Sequence, residues 1–247
     1  MNLLLPILII LAIYMSFKDY KILKRHKSYK KYATLIDPVY KNNTSTFLKT
    51  VDSYIAEEKM VEFKNKARVL KLFSILKENK GGYQEVLNEL DLKEILLDKS
   101  GKINKTKKLL NSDCFFWLLL SLIECDIRHN IDAVSVIENY LNQYDSALNR
   151  QLYYQMIKSY ISLIKGDNDG LRLYHRILEG DYFEFDYAKD LIGIFKRLSA
   201  TILVYKGEEL SSEDENLVYV FAKGQAGQFV LKELGMYEKY KNDNNED

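Results

Sequence analysis

Residues 1 to 17 carry no charged side chain, and Leu3, Leu4, Leu5, Ile7, Leu8 and Ile9 open a run too apolar to remain in water. From Lys18 to Lys31 the chain turns strongly polar. Past Asp37-Pro38, a boundary in this reading because a residue preceding proline resists helical angles, apolar positions recur at three and four. Phe47, Leu48, Val51, Tyr54 and Ile55 predict a helix over about 46–59. Val69, Leu72, Phe73 and Leu76 predict another over about 61–78, closed by Lys80-Gly81-Gly82. Tyr83, Val86, Leu87 and Leu90 open the next. Between Asp91 and Asn111 the period fades. Lys99-Ser100-Gly101-Lys102 and the run Lys105 to Lys108 read as a solvated connection, with a short helix at 92–97.

From Ser112 the helices return in a repeating order. An offset of 37 residues lays Phe116, Trp117, Leu120 and Ile123 on Tyr153, Tyr154, Ile157 and Tyr160. The second helices register too: Ala133, Val136, Ile137 and Leu141 fall on Gly170, Leu173, Tyr174 and Leu178. An offset of 88 lays Gly82, Val86 and Leu90 under Gly170, Tyr174 and Leu178, so the irregular stretch at 91–111 reads as an insertion between repeats. Tyr187, Leu191, Ile194, Leu198, Ile202 and Tyr205 predict a further helix over about 186–206. Ser211-Ser212-Glu213 then caps another.

These helix pairs resemble the tetratricopeptide (TPR) class of α-solenoid. The resemblance is carried by Trp117, Leu120 and Ala133 in one unit and by Tyr154, Ile157 and Gly170 in the next, with Lys165-Gly166-Asp167 at the turn between helices. It spans about residues 44–240. The sequence departs from the family pattern in its longer period, in bulky or polar residues at the small position of the first helix, and in lacking the proline that closes a repeat. The resemblance implies an all-α fold of stacked helical hairpins, an α-α superhelix whose first helices line a concave protein-binding face. Low proline and glycine content, two and eleven residues, permits long helices almost everywhere.

Charge decides how the apolar run is read. Lys18, Lys21, Lys24, Arg25, Lys27, Lys30 and Lys31 all follow it, which predicts a transmembrane anchor with the remainder of the chain in the cytoplasm. A secretory signal would carry its charge ahead of the run and end in small residues, whereas this one ends in Tyr14, Met15, Ser16 and Phe17, so a retained anchor is favoured over a cleaved signal. Seventeen residues span roughly 25 Å, short of a hydrocarbon core of about 30 Å, so local thinning or snorkelling by Lys18 is needed. Residues 1–43 hold eight Lys/Arg and two Asp; the rest hold 28 and 33 basic and acidic residues. The seven cations are thus expected at the membrane surface, under an acidic body, and no nucleic-acid partner is expected. Four segments follow: a transmembrane anchor at 1–17, a basic juxtamembrane segment at 18–43, a TPR-like domain at 44–240 and a disordered polar tail at 241–247.

Little in the chain carries catalytic chemistry. His26, His129 and His175 fall in unrelated places, and neither a zinc-protease nor a phosphate-loop motif occurs. Cys114 and Cys125 lie about 16 Å apart along one helix, too far to pair, and read as buried thiols of a reducing compartment. Asp167-Asn168-Asp169-Gly170 begins like a calcium loop but has Leu178 where the twelfth-position glutamate belongs, so helix capping explains its acids. Glu208, Glu209, Glu213, Asp214 and Glu215 suit a helix start in the same way. Among nineteen tyrosines, Tyr153, Tyr160 and Tyr174 fall in core register, so helix-seam packing is favoured over a recognition face for them.

The expected function is therefore a non-enzymatic membrane-anchored scaffold at the inner face of the cell membrane, without cofactor or metal. It would bind an acidic protein or peptide along Arg68, Lys71, Arg150, Gln151, Lys158, Lys189 and Lys196 on the first helices. An enzyme using the interhelical groove would need a buried, strongly shifted carboxylate set in one cleft. A secreted or surface-exposed solenoid differs only in topology.

Overall fold

The computed structural model describes residues 4–93 and 112–241, the side chains of 4–19, 21 and 112 excepted. Its helices are α1 (Leu4–Tyr40), α2 (Thr44–Glu57), α3 (Val61–Lys77), α4 (Tyr83–Glu89), α5 (Ser112–Ile127), α6 (Ile131–Asn142) and α7 (Asp145–Leu148). They continue as α8 (Leu152–Ile164), α9 (Gly170–Glu179), α10 (Ile192–Tyr205), α11 (Ser212–Ala222), α12 (Gln225–Glu233) and α13 (Tyr237–Tyr240). Among the described residues no strand forms, and one β-bridge joins Gln151 to Asp186. The connection expected at Lys99–Lys108 lies outside the described residues, as do residues 242–247 of the expected tail.

Local chemistry sets the ends of these helices. The Asn43 side chain accepts from the Thr46 N–H at 3.2 Å to start α2, Asn130 accepts from Ala133 at 3.1 Å to start α6, and Ser211 accepts from Asp214 at 3.1 Å to start α11. Gly180 closes α9 with φ of 85°, a backbone conformation that a side chain would strain. Hairpins α3–α4, α5–α6 and α8–α9 are the units read from the repeat. Helix α3 packs on α2, α4 and α5; α5 packs on α8; α8, α9, α10 and α11 follow one another in contact. The small residue expected at position 170 has a reason: a Cβ there would lie 2.4 Å from the Ser159 carbonyl oxygen, so α9 crosses α8 at near backbone contact. Ala133, its counterpart one period earlier, is fully buried.

Three features depart from the expectation. Helix α1 runs without a break through Pro38, because Tyr32, Leu35 and Val39 are buried against the body and override the pre-proline preference. The transmembrane helix over 1–17 finds no support: among the described residues no helix is long and apolar enough to cross a membrane, and charged residues follow the apolar run at once. The run's side chains lie outside the description. The helix expected over 186–206 begins only at Ile192, after a 3₁₀ turn at Lys189–Leu191. The Asp186 N–H donates to the Arg150 carbonyl at 2.5 Å and its own carbonyl accepts from Leu152 N–H at 3.1 Å, holding residues 181–188 as a loop against the start of α8.

The two ends of the body meet. Phe229 of α12 packs its ring 5.5 Å from Tyr40 of α1, 5.8 Å from Phe73 of α3 and 5.7 Å from Trp117 of α5. Helices α11 and α12 therefore cover part of the side lined by the first helices of the pairs. Gly227 permits the tight turn into this position, since a Cβ there would fall 1.8 Å from the Phe221 carbonyl oxygen.

Candidate functional site

The basic segment is divided between two jobs. Arg25 turns inward and bonds Glu62 of α3 at 2.7 Å, and Ser28 is buried, donating to Glu58 at 3.0 Å. Lys24, Lys27, Lys30 and Lys31 stay exposed, beside the exposed apolar surfaces of Tyr20, Ile22, Leu23 and Tyr29. Lys18 and Lys21 lie outside the described side chains. Helical periodicity thus gives α1 a docked face and a free face that mixes lysine with tyrosine and aliphatic surface.

The seven residues read as a partner face are mostly engaged within the fold. Arg68 pairs with Glu89 at 3.4 Å and Lys71 with Asp52 at 2.6 Å, both on the rim of a small cavity between α3 and α4. Lys158 meets Asp145 at 3.6 Å and Asn142, and Lys196 caps α9 by donating to the Leu178 carbonyl at 3.1 Å. Gln151 is buried and bonds Asp186 at 3.1 Å. Arg150 and Lys189 are exposed. Arg150 adjoins the 181–188 loop, which presents Phe183 at 75% exposure with Tyr182 stacked on it at 5.3 Å. Arg176 braces that loop through Asp181 and Glu184 at 2.8 and 2.7 Å.

Tyrosine hydroxyls seal the helix seams. Tyr154 donates to the Leu141 carbonyl at 2.8 Å, Tyr160 to Asp126 at 2.9 Å and Tyr174 to the Met156 carbonyl at 2.5 Å, each ring being buried. Burial pushes the Cys125 thiol up to about 12 and Cys114 well above its usual range, so neither supplies a thiolate. His129 occupies the left-handed turn before α6 with φ of 53°, and His175 sits 3.2 Å from Glu208. Asp167 accepts from the Asp169 N–H at 3.0 Å, a turn bond rather than a cap on α9. No group of three His, Cys, Asp or Glu among the described residues is placed to hold a metal.

Two arrangements escape the sequence pattern. The first is a partly buried ionic knot joining α3, α5 and α12. Lys77 bonds Glu233 at 2.5 Å, Arg128 pairs with Glu124 at 3.3 Å, and Glu124 is 3% exposed. Burial first, then the neighbouring Glu233 carboxylate that hydrogen-bonds it, push Glu124 up to about 7, against the pull of Lys77 and Arg128. The second is a cavity of about 420 Å³ between α5, α8, α10 and the α11–α12 turn, within the range of small-molecule sites. Phe116, Leu191, Ile194, Val220 and Phe221 supply its apolar wall. Its polar groups are Tyr40, Asp113, Tyr153, Arg197 and the first residues of α12. Asp113 bonds Lys66 at 3.0 Å. Burial raises its carboxyl above the usual range although Lys66 pulls the other way. It is the one carboxylate in the lining, and Glu124 lies elsewhere, so no acid–base pair converges there.

The chain matches no family model, and no curated protein or solved structure matches it. What stands is an all-α architecture of packed helical pairs, compatible with a helical-repeat fold.

Proposed function

We propose that the chain is a scaffold of TPR-like helical hairpins, fastened to the inner face of the cell membrane by the N-terminal part of α1, where it engages a protein partner. The observation behind this reading is the continuity of α1. One helix of 37 residues carries the apolar run, then a free face of lysines, tyrosines and aliphatic residues, then the docked turns at Tyr32, Leu35 and Val39. Lysines close to anionic head groups contribute about 1 kcal/mol each, and tyrosine rings favour the head-group layer. Because Arg25 and Ser28 tie the same helix to α3 and to Glu58 at the end of α2, the body is held at a set orientation rather than on a loose tether.

Its test uses the protein's own silence toward thiol reagents. Cys114 and Cys125 are both 1% exposed, so a single Asn42→Cys reporter carries the signal. The reporter is expected to resist an impermeant maleimide in intact cells and to react after permeabilisation. Labelling in intact cells would instead place the body outside, as for a surface-exposed solenoid. The purified chain is expected to float with vesicles containing phosphatidylserine, and Lys24→Gln, Lys27→Gln, Lys30→Gln and Lys31→Gln together to lower the bound fraction at least tenfold on neutral-plus-anionic vesicles at low salt. Recovery in the soluble fraction of both cells and vesicle mixtures would remove the membrane from the reading.

A further inference from the structure

The cavity beneath the α11–α12 turn combines three features that converge on an anion. Gly224, the residue before helix α12, has no side chain to cap it, and the N–H groups of Gln225, Ala226 and Gly227 have no partner among the described residues. These residues line the cavity, where the helix terminus carries about half a positive charge. Arg197 of α10 lines it too, and no hydrogen bond or ion pair joins its guanidinium to a described residue. Tyr153 is the third. It is only 7% exposed, wedged between Phe115 and Phe195 at ring distances of 5.9 and 4.3 Å, yet nothing described hydrogen-bonds its hydroxyl, and the residue lines the cavity. The hydroxyl is not sealed from solvent, so water serves it until an acceptor enters the cavity and takes its proton in a hydrogen bond.

We propose that this cavity binds a small organic carboxylate, its head between Arg197, Tyr153 and the N-terminus of α12, and its apolar body along Phe116, Ile194 and Val220. Charge selects a monoanion. One unpaired guanidinium and one helix terminus match a single negative charge, whereas a phosphate dianion would meet the Asp113 carboxylate with only Lys66 to offset it. The apolar wall selects against inorganic anions, which leave that surface wet. Tyr40 and Tyr153 stay protonated because burial pushes their hydroxyls upward, so each enters as a donor to the carboxylate.

The test titrates the full chain with 4-phenylbutyrate, using 4-phenylbutanol and phenyl phosphate as the neutral and doubly charged comparators. Calorimetry measures binding, and emission from Trp117, the chain's one tryptophan, reports from α5 beside Phe116. Saturable binding of 4-phenylbutyrate is expected, at least tenfold tighter than either comparator. Arg197→Gln should weaken it at least tenfold and Tyr153→Phe severalfold, the alcohol's affinity staying within twofold in both. Equal affinity for acid and alcohol, no saturable binding, or an Arg197→Gln chain of unchanged helicity that binds the acid normally would each overturn the assignment. Should Arg197→Gln fail to fold, Tyr153→Phe decides: it removes one oxygen from a packed ring, and unchanged acid affinity counts against the site.

Discussion

Glu124 is the residue whose surroundings say most about how this chain stays closed. Its carboxyl is raised to about 7 by burial and by Glu233, with Lys77 and Arg128 pulling it down. The raised value gives a definite sign. Below the ordinary carboxylate range the acid is protonated in both folded and unfolded states, and the contribution from its raised value is fully present. As pH rises toward 7 the unfolded chain releases its proton more readily, so stability falls through that window and levels off above it, a loss of about 3 kcal/mol at most. Glu124→Gln keeps a buried neutral group of the same shape. It should flatten the dependence of melting temperature on pH between about 5 and 8. A Glu124→Gln chain that keeps the wild-type slope would assign the titration to other groups. The sequence could not reveal this residue: Glu124 follows Ile123 in an apolar helix, and nothing local says what covers it. Its burial depends on α12 arriving from more than a hundred positions away. By contrast, the tyrosines at 153, 160 and 174 were legible as seam residues, because their spacing matched the core positions of neighbouring hairpins.

At the level of elements, periodicity carried most of the information. Helices α2 and α3 lie within two residues of the ranges read from the three-and-four spacing, α5, α6, α8 and α9 carry the residues that the offset of 37 brings into register, and Gly170 sits at a close crossing of α9 over α8. The misread start of α10 has a nonlocal cause, the backbone bridge from Asp186 to Arg150 and Leu152, which competes with helix formation over residues whose own pattern is helical. The α11–α12 return left a weaker trace. Gly227 marks a close approach, but nothing in its neighbourhood names the target. Phe229 supplies that target, and truncating it tests the closure. Phe229→Ala removes a buried ring from contact with Tyr40, Phe73 and Trp117, and should cost about 3–5 kcal/mol of stability. Hydrogen exchange should speed first in α12 and the end of α1. A loss spread evenly over all helices would mean that α12 is not a separately releasable element.

For the whole molecule, the closing helices and the engaged cations leave little free charge on the first-helix face that the repeat resemblance implies. Lys158 is held by Asp145 and Asn142, Lys196 by the end of α9, and Arg68 and Lys71 by carboxylates on α4 and α2. Phe183 is different: it is 75% exposed in a loop braced by Arg176, and that loop is bonded to Arg150. An exposed ring on an ordered support can bury its full area in a partner at little entropic cost, the arrangement from which binding hot spots are built. We therefore expect Phe183→Ala to reduce capture of a partner recovered from detergent-solubilised membranes at least tenfold, and Arg150→Glu severalfold if that partner is acidic. Lys158→Glu should leave capture within twofold, since its charge already has partners inside the fold. All three substitutions fall outside the aromatic core that joins α1, α3, α5 and α12, so helicity should be unchanged. The reverse ranking, with Lys158→Glu abolishing capture and Phe183→Ala tolerated, would return the docking surface to the first helices and place the 181–188 loop outside it.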